Sequence, residues 1–233
     1  MKAWTTKNGN KIYELLNGRS NVYLIIYKDH NILIDTGKSS SYKKLKTKIQ
    51  QILPEGSTIN FLILTHTHFD HCQNAKKIQD LHSCKIIMHK NEMEYAKQGY
   101  TPIPGGTNII TRLISNIGRK IGPKIAGYQS FSPDVVFEKE MDLYKYEINI
   151  KLIETKGHSA GSNSIIVDNE IALVGDTLFG ILPNSVYPPF ADDIYDLIKS
   201  WNKLLNTDCN LFLPGHGRSV TRLLLKKQYY KHK

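Results

Sequence analysis

The apolar run Phe61-Leu62-Ile63-Leu64 breaks directly into Thr65-His66-Thr67-His68-Phe69-Asp70-His71. Three histidines and an aspartate fall at the end of what reads as a buried strand, and no other stretch constrains the fold as strongly. Imidazole and carboxylate are the donors that suit a borderline divalent ion such as zinc. Without an ion, these groups crowded at a strand end would carry a desolvation penalty with little to offset it.

The rest of the chain repeats the arrangement. His158 lies in Gly157-His158-Ser159-Ala160-Gly161, after the strand-like Ile150-Lys151-Leu152-Ile153-Glu154. Asp176 lies in Gly175-Asp176-Thr177-Leu178-Phe179, after Ile171-Ala172-Leu173-Val174. His216 lies in Pro214-Gly215-His216-Gly217, after Leu211-Phe212-Leu213. Each donor sits just past an apolar β-type run and beside glycine. In layered α/β folds, sites are built at strand ends, and glycine permits tight turns and close backbone approach. Each motif is weak alone, but four strand-end loops carrying seven donor-type residues point together to a metal centre.

Composition narrows the class. A chain of 233 residues with 40% hydrophobic content can bury a real core. No apolar run approaches the ~20 residues needed to cross a bilayer, and Met1 to Lys7 has no apolar signal-peptide core. The expected location is cytoplasmic. Cys72, Cys84 and Cys209 are few and unpaired in spacing, which argues against a disulfide framework; Cys72 is expected to point into the fold rather than at a metal. The net charge is +10, but the lysines are scattered, apart from a tail from Arg222 to Lys233 with five Lys/Arg. A nucleic-acid partner is therefore not expected.

Periodicity predicts strands at 11–16, 22–27, 31–35, 61–64 and 85–88. It predicts helices at 42–53, 74–81, 193–205 and 220–230. Early adjacent strands followed by strand–helix alternation suggest two sheets with helices outside, rather than one parallel sheet. Between His71 and His158 lies a long gap whose middle, 99–140, is rich in Pro and Gly. Within it, 108–121 is an amphipathic helix pattern with Ile109, Ile110, Leu113, Ile114, Ile117 and Ile121 on one side. The expectation is that this apolar face packs on the domain as a cover, or walls a substrate cleft as a lid. A dimer contact or a membrane-surface helix are the other readings.

In order, Ile34-Asp35-Thr36-Gly37, the His66-to-His71 motif, His158, Asp176 and His216 resemble the metallo-β-lactamase superfamily. The resemblance implies a single domain over 1–233, an α/β fold built as a four-layer αββα sandwich, with the metals at one edge of the two sheets and a lid-like insertion at about 99–140. It implies two metal ions. His66, His68 and His158 would hold the first, and Asp70, His71 and His216 the second, with Asp176 bridging. Asp35 would support the site without being a ligand. Members that hydrolyse β-lactams with zinc commonly carry cysteine where Asp176 stands, so antibiotic hydrolysis is not the expected role. The segment from Gly175 to Phe179 is similar to glyoxalase II, although the chain lacks that enzyme's glutathione-binding C-terminal helices. Lactonases of the family carry tyrosine where Phe179 stands.

The expected activity is metal-dependent hydrolysis of an ester, thioester or lactone of a small molecule by a metal-bound hydroxide. Asp70 and Asp176 are the catalytic carboxylates, and Phe179, Tyr187 and Phe190 the substrate contacts. Zinc is the default ion, with manganese or iron open because no thiolate is in the set. A phosphodiesterase or nuclease on the same dinuclear site, and an iron-dependent persulfide dioxygenase, are the alternatives. A homo-oligomer is left open.

Overall fold

A computed structural model describes residues 1–233. The chain divides into two compact units, Met1–Thr101 with Ala126–Phe137, and Pro102–Ile125 with Glu138–Lys233. Each is built on its own sheet.

The first unit carries seven strands in sequence order: β1 (Ala3–Thr5), β2 (Lys11–Asn17), β3 (Asn21–Tyr27), β4 (His30–Ile34), β5 (Phe61–Ile63), β6 (Lys85–His89) and β7 (Val135–Phe137). The first four form an antiparallel meander, because short turns join them. From β4 to β7 the pairing is parallel. Parallel neighbours need crossovers, and helices supply them. Helix α1 (Tyr42–Ile52) joins β4 to β5, while α2 (Phe69–Cys72) and α3 (Ala75–His82) lead from β5 to β6. Helix α4 (Met93–Gln98) follows β6. Leu45 and Ile49 of α1, and Ala75 and Ile78 of α3, pack with Leu24, Leu33, Leu62 and Ile86 of the strands.

The second unit opens with α5 (Ile109–Ile125) and continues through β8 (Glu140–Asp142), β9 (Ile150–Glu154), β10 (Asn163–Val167), β11 (Ile171–Gly180), α6 (Ile194–Leu205), β12 (Leu211–Gly217), β13 (Val220–Thr221) and α7 (Arg222–His232). Its sheet runs β13-β12-β11-β10-β9-β8. Only β11–β12 is parallel, with α6 as its crossover. Trp201 and Leu197 of α6 pack with Phe212, Leu178 and Val174. Asp193 caps α6 by accepting from the Asp196 amide at 2.8 Å. The helix expected at 220–230 starts two residues later. Val220 and Thr221 first pair with β12, and Thr221 then caps α7.

The helix expected at 108–121 is present, but its apolar side does not pack on the domain as a cover. Ile109, Ile110, Leu113, Ile114, Ile117, Ile121 and Ile125 are 46–84% exposed. The buried positions are Ser115, Gly118 and Gly122. Small residues let the backbone approach closely. A Cβ on Gly118 would sit 2.7 Å from Ile103 Cδ1, and Ser115 Oγ donates to the Pro104 carbonyl at 2.6 Å. The helix is fastened by polar bonds. Arg119 Nε donates to the Ile103 carbonyl at 2.7 Å, and its guanidinium pairs with Asp192 at 3.2 Å. Just upstream, Thr107 N donates to the Pro189 carbonyl at 3.0 Å, Ala191 N donates to the Gly105 carbonyl at 2.8 Å, and Gly106 bridges Phe190. The apolar stripe therefore does not cover a core.

Candidate functional site

In the first unit, β5 delivers the chain into the histidine loop, and two buried carboxylates hold that loop. Asp35, just past β4, accepts from Thr65 N, from Thr65 Oγ1 and from His71 Nδ1, each at 2.8 Å. It is buried and adopts φ 59°, a left-handed conformation that aspartate tolerates better than most residues. Holding it there carries a conformational cost that its three bonds offset. With Nδ1 of His71 donating to Asp35, a neutral ring carries its lone pair on Nε2. A carboxylate behind an imidazole is a common support for metal-binding histidine.

The second carboxylate is Glu92, fully buried after β6, which accepts from Thr67 N at 3.0 Å and from Thr67 Oγ1. Thr101 Oγ1 donates to the Thr67 carbonyl at 2.7 Å and also lies 2.7 Å from the Tyr128 hydroxyl. Burial, followed by the neighbouring Cys72, pushes the Tyr128 phenol far above its usual range, so it serves as a fixed hydrogen-bonding group. With the loop so held, the His66 ring lies 4.6 Å from that of His68 and 4.2 Å from that of His71. Asp70, on α2, has Arg19 Nε 3.7 Å from Oδ2, and its carbonyl accepts from Ser20 Oγ.

In the second unit, His158, Asp176 and His216 come together. Asp176 Oδ2 lies 3.4 Å from His158 Nε2 and 3.2 Å from His216 Nε2. His158 Nδ1 is 2.9 Å from the Phe190 carbonyl. A carbonyl only accepts, so the ring proton sits on Nδ1 and a neutral ring turns its Nε2 lone pair toward the Asp176 carboxylate. Two glycines make this geometry possible. Gly157 has φ +129°, and a Cβ there would meet Leu197 N at 2.3 Å, so the His158 loop seats directly on α6. Gly217 has φ +83°, and a Cβ there would meet the Gly180 carbonyl carbon at 2.3 Å. That closeness continues the β11–β12 pairing to Phe179↔His216, past register shifts between Leu173 and Phe179. Irregular pairing of this kind re-aims side chains near sites.

Phe179 stacks on His216 with centroids 4.7 Å apart. Phe190 meets His158 through its backbone carbonyl. Tyr187 lies against Trp201 and His232, at 6.0 and 4.8 Å between ring centroids. Sequence reasoning missed Glu92, Thr101 and the carbonyl of Phe190, because nothing local marks them. Their partners lie 25 to 34 residues away.

Cys72 is buried and donates through Sγ to the Thr67 carbonyl at 3.2 Å. Burial, then the negative field of Asp35 and Glu92, pushes its thiol well above the ordinary range, as expected of a neutral side chain rather than a ligand. Burial likewise pushes Cys84 and Cys209 to about 11. In a thiol assay with an aromatic disulfide, the native protein is expected to react negligibly near neutral pH. All three thiols should react after denaturation; rapid labelling of the native chain would contradict this packing.

The donor set fits divalent ions: imidazoles, with Nδ1 held by a carboxylate at His71 and by a carbonyl at His158, and carboxylates on the same scaffold, with no thiolate. Two sheets with helices in a mixed α/β fold, carrying histidine–aspartate clusters that could bind metal, define an α/β protein with candidate metal sites. The chain belongs to the metallo-β-lactamase superfamily, whose sequence profile it matches over residues 16–216. Among curated proteins it is similar to a probable metallo-hydrolase, MJ0888 of Methanocaldococcus jannaschii, 32% identical over 216 residues that span 89% of this chain and 94% of that one. Its fold is that of a metallo-beta-lactamase superfamily protein, ST1585 from Sulfolobus tokodaii, with a TM-score of 0.65 and 18% identity over 94% of this chain and 85% of that one. It also matches TTHA1623, solved in a di-iron-bound form, with a TM-score of 0.65 and 20% identity over 93% and 98% of the two chains.

Proposed function

We propose that this chain is a dinuclear metal-dependent hydrolase acting on an ester, thioester or lactone bond of a small molecule. His66, His68 and His158 would hold one ion, Asp70, His71 and His216 the other, and Asp176 would bridge them. The two triads are donor groups of the right kind for an ion each. One observation carries the reading. Two imidazole Nε2 atoms, one of them with its proton committed to the far side of the ring, are aimed at a single carboxylate oxygen. Imidazole nitrogens gathered on one carboxylate are the mixed donor set that divalent ions take. Zinc is the first choice. The ligands also suit manganese or iron, and the relative TTHA1623 has been solved with two irons.

Bound divalent ions would supply a lowered water pKa and a polarised scissile carbonyl. The chain supplies the rest. Asp35 and the Phe190 carbonyl fix the tautomers of His71 and His158. Glu92 fixes the backbone between His66 and His68. Asp70, with Arg19 Nε 3.7 Å from Oδ2, would pass a proton where metal coordination leaves one of its oxygens free. Phe179, stacked on His216, offers an apolar surface beside the reacting bond, with Phe190 and Tyr187 completing the substrate contacts at longer reach.

The test is metal analysis of protein purified without supplementation, followed by a panel of p-nitrophenyl esters, thioesters, lactones and bis(p-nitrophenyl) phosphate. The expected result is two equivalents of divalent metal per chain, and chelator-sensitive turnover of a carboxylic ester, thioester or lactone. Turnover of the phosphodiester alone would overturn the reading in favour of a phosphodiesterase. Oxygen consumption with a persulfide, and one iron per chain, would overturn it in favour of a dioxygenase.

A further inference from the structure

Helix α5 presents seven large aliphatic side chains to solvent from a single arc. Stepping 100° per residue from Ile109, those seven span about 160°. Ser115, Gly118 and Gly122 lie on the opposite side and are buried. The arrangement is the reverse of a helix built to cover a core, and an uncovered aliphatic patch of this kind on a soluble surface marks an interaction site.

The charge pattern identifies the occupant. No Asp or Glu occurs between Glu94 and Asp134, whereas α5 alone contains Arg112, Arg119, Lys120 and Lys124. Arg119 is tied back to Ile103 and Asp192, and Arg112 Nε donates to the Gly106 carbonyl at 3.3 Å. Lys120 and Lys124 are exposed and, on the same step, fall at about 20° and 60°, within the arc near the C-terminal end of the helix. Their methylene stems can lie along apolar surface while the ammonium groups reach outward. A second copy fits poorly. An isologous contact sets the same patch against itself, and the helix brings cations and no carboxylate to meet them. Acyl chains bordered by anionic headgroups satisfy both features at once. No helix of the chain is long and apolar enough to cross a membrane, so α5 would lie in the surface plane.

We propose that α5 docks this protein on an anionic phospholipid surface, with Ile110, Leu113, Ile114 and Ile117 inserted at the acyl boundary and Lys120 and Lys124 at headgroup level. The inference is independent of the hydrolytic reading, because none of these residues is a metal donor.

The test is co-sedimentation of the full chain with vesicles of phosphatidylcholine, alone or with about one part in four phosphatidylglycerol. The wild type should pellet with the anionic vesicles, at a partition coefficient at least about tenfold above that for phosphatidylcholine alone. Leu113→Glu/Ile117→Glu should abolish pelleting. Lys120→Glu/Lys124→Glu should lower the coefficient by about fivefold or more for each lysine. All four positions are exposed, so melting temperature and metal content should stay near wild type. Should the glutamate pair fail to fold, Ile114→Ser with Ile117→Ser supplies a milder version with the same expected direction. Wild-type protein left in the supernatant with anionic vesicles would overturn the proposal. So would pelleting that the stripe variants do not diminish. A dimer in light scattering that Ile117→Glu dissociates, without vesicle binding, would instead assign the face to a second copy.

Discussion

Asp176→Ala is expected to abolish hydrolysis and to lower bound metal from two equivalents per chain to about one. The carboxylate is buried on β11, with His158 Nε2 at 3.4 Å and His216 Nε2 at 3.2 Å from the same oxygen. In the proposed dinuclear site, removing it would leave two cations without their shared anion, and their mutual repulsion would favour losing one. The fold should survive, because Asp176 borders the apolar cluster around Trp201 and Phe212 without being part of it. Far-ultraviolet circular dichroism, elemental analysis and ester turnover together decide the matter. Wild-type turnover with two ions retained would sink the bridging role. Asp176→Asn is the informative companion. It keeps the shape and one neutral oxygen, so it should retain more metal than alanine yet hydrolyse poorly.

Substitution of Asp35 should act on stability and metal affinity together. Its carboxylate accepts three bonds, each at 2.8 Å, from donors buried with it. Each buried donor left without a partner costs about 1–3 kcal/mol. Alanine at φ 59° adds about 1–2 kcal/mol of left-handed strain. Since the terms share one loop they do not simply add, and a loss of roughly 4 kcal/mol in denaturant unfolding is expected for Asp35→Ala. Asp35→Asn should spare much of that, because asparagine tolerates the same backbone conformation. It offers one acceptor oxygen in place of two, however, and so loosens control of the His71 tautomer. Metal affinity measured against a competing chelator should fall by about 10–100-fold. An asparagine variant with unchanged affinity would show that Asp35 supports the loop without tuning its histidine.

Much of the site could be read from local sequence. A metal donor must stand where backbone geometry can aim it, and the ends of apolar runs beside glycine mark such places. His66, His68, His71, His158, Asp176 and His216 stand out as candidate donors for that reason. The strand and helix periods were legible too, since alternation and 3.6-residue spacing report which side chains can share a face. The supporting shell was not. Glu92, Thr101, Tyr128 and the Phe190 carbonyl reach the histidine loops across 25 or more residues, and a hydrogen bond between distant residues leaves no periodic trace.

Helix α5 marks the boundary most plainly. The sequence by itself determined that residues near 108–121 form a helix and which of its sides is aliphatic. Tertiary structure alone decided that the aliphatic side faces solvent. Gly118 lets the backbone approach Ile103 closely, and Arg119, Thr107 and Gly105 fasten the segment to the Pro188–Asp192 loop. Apolar periodicity measures what a face would gain by burial. It cannot register a competing set of close contacts and polar bonds on the opposite face, because those depend on partners that only the folded chain brings near.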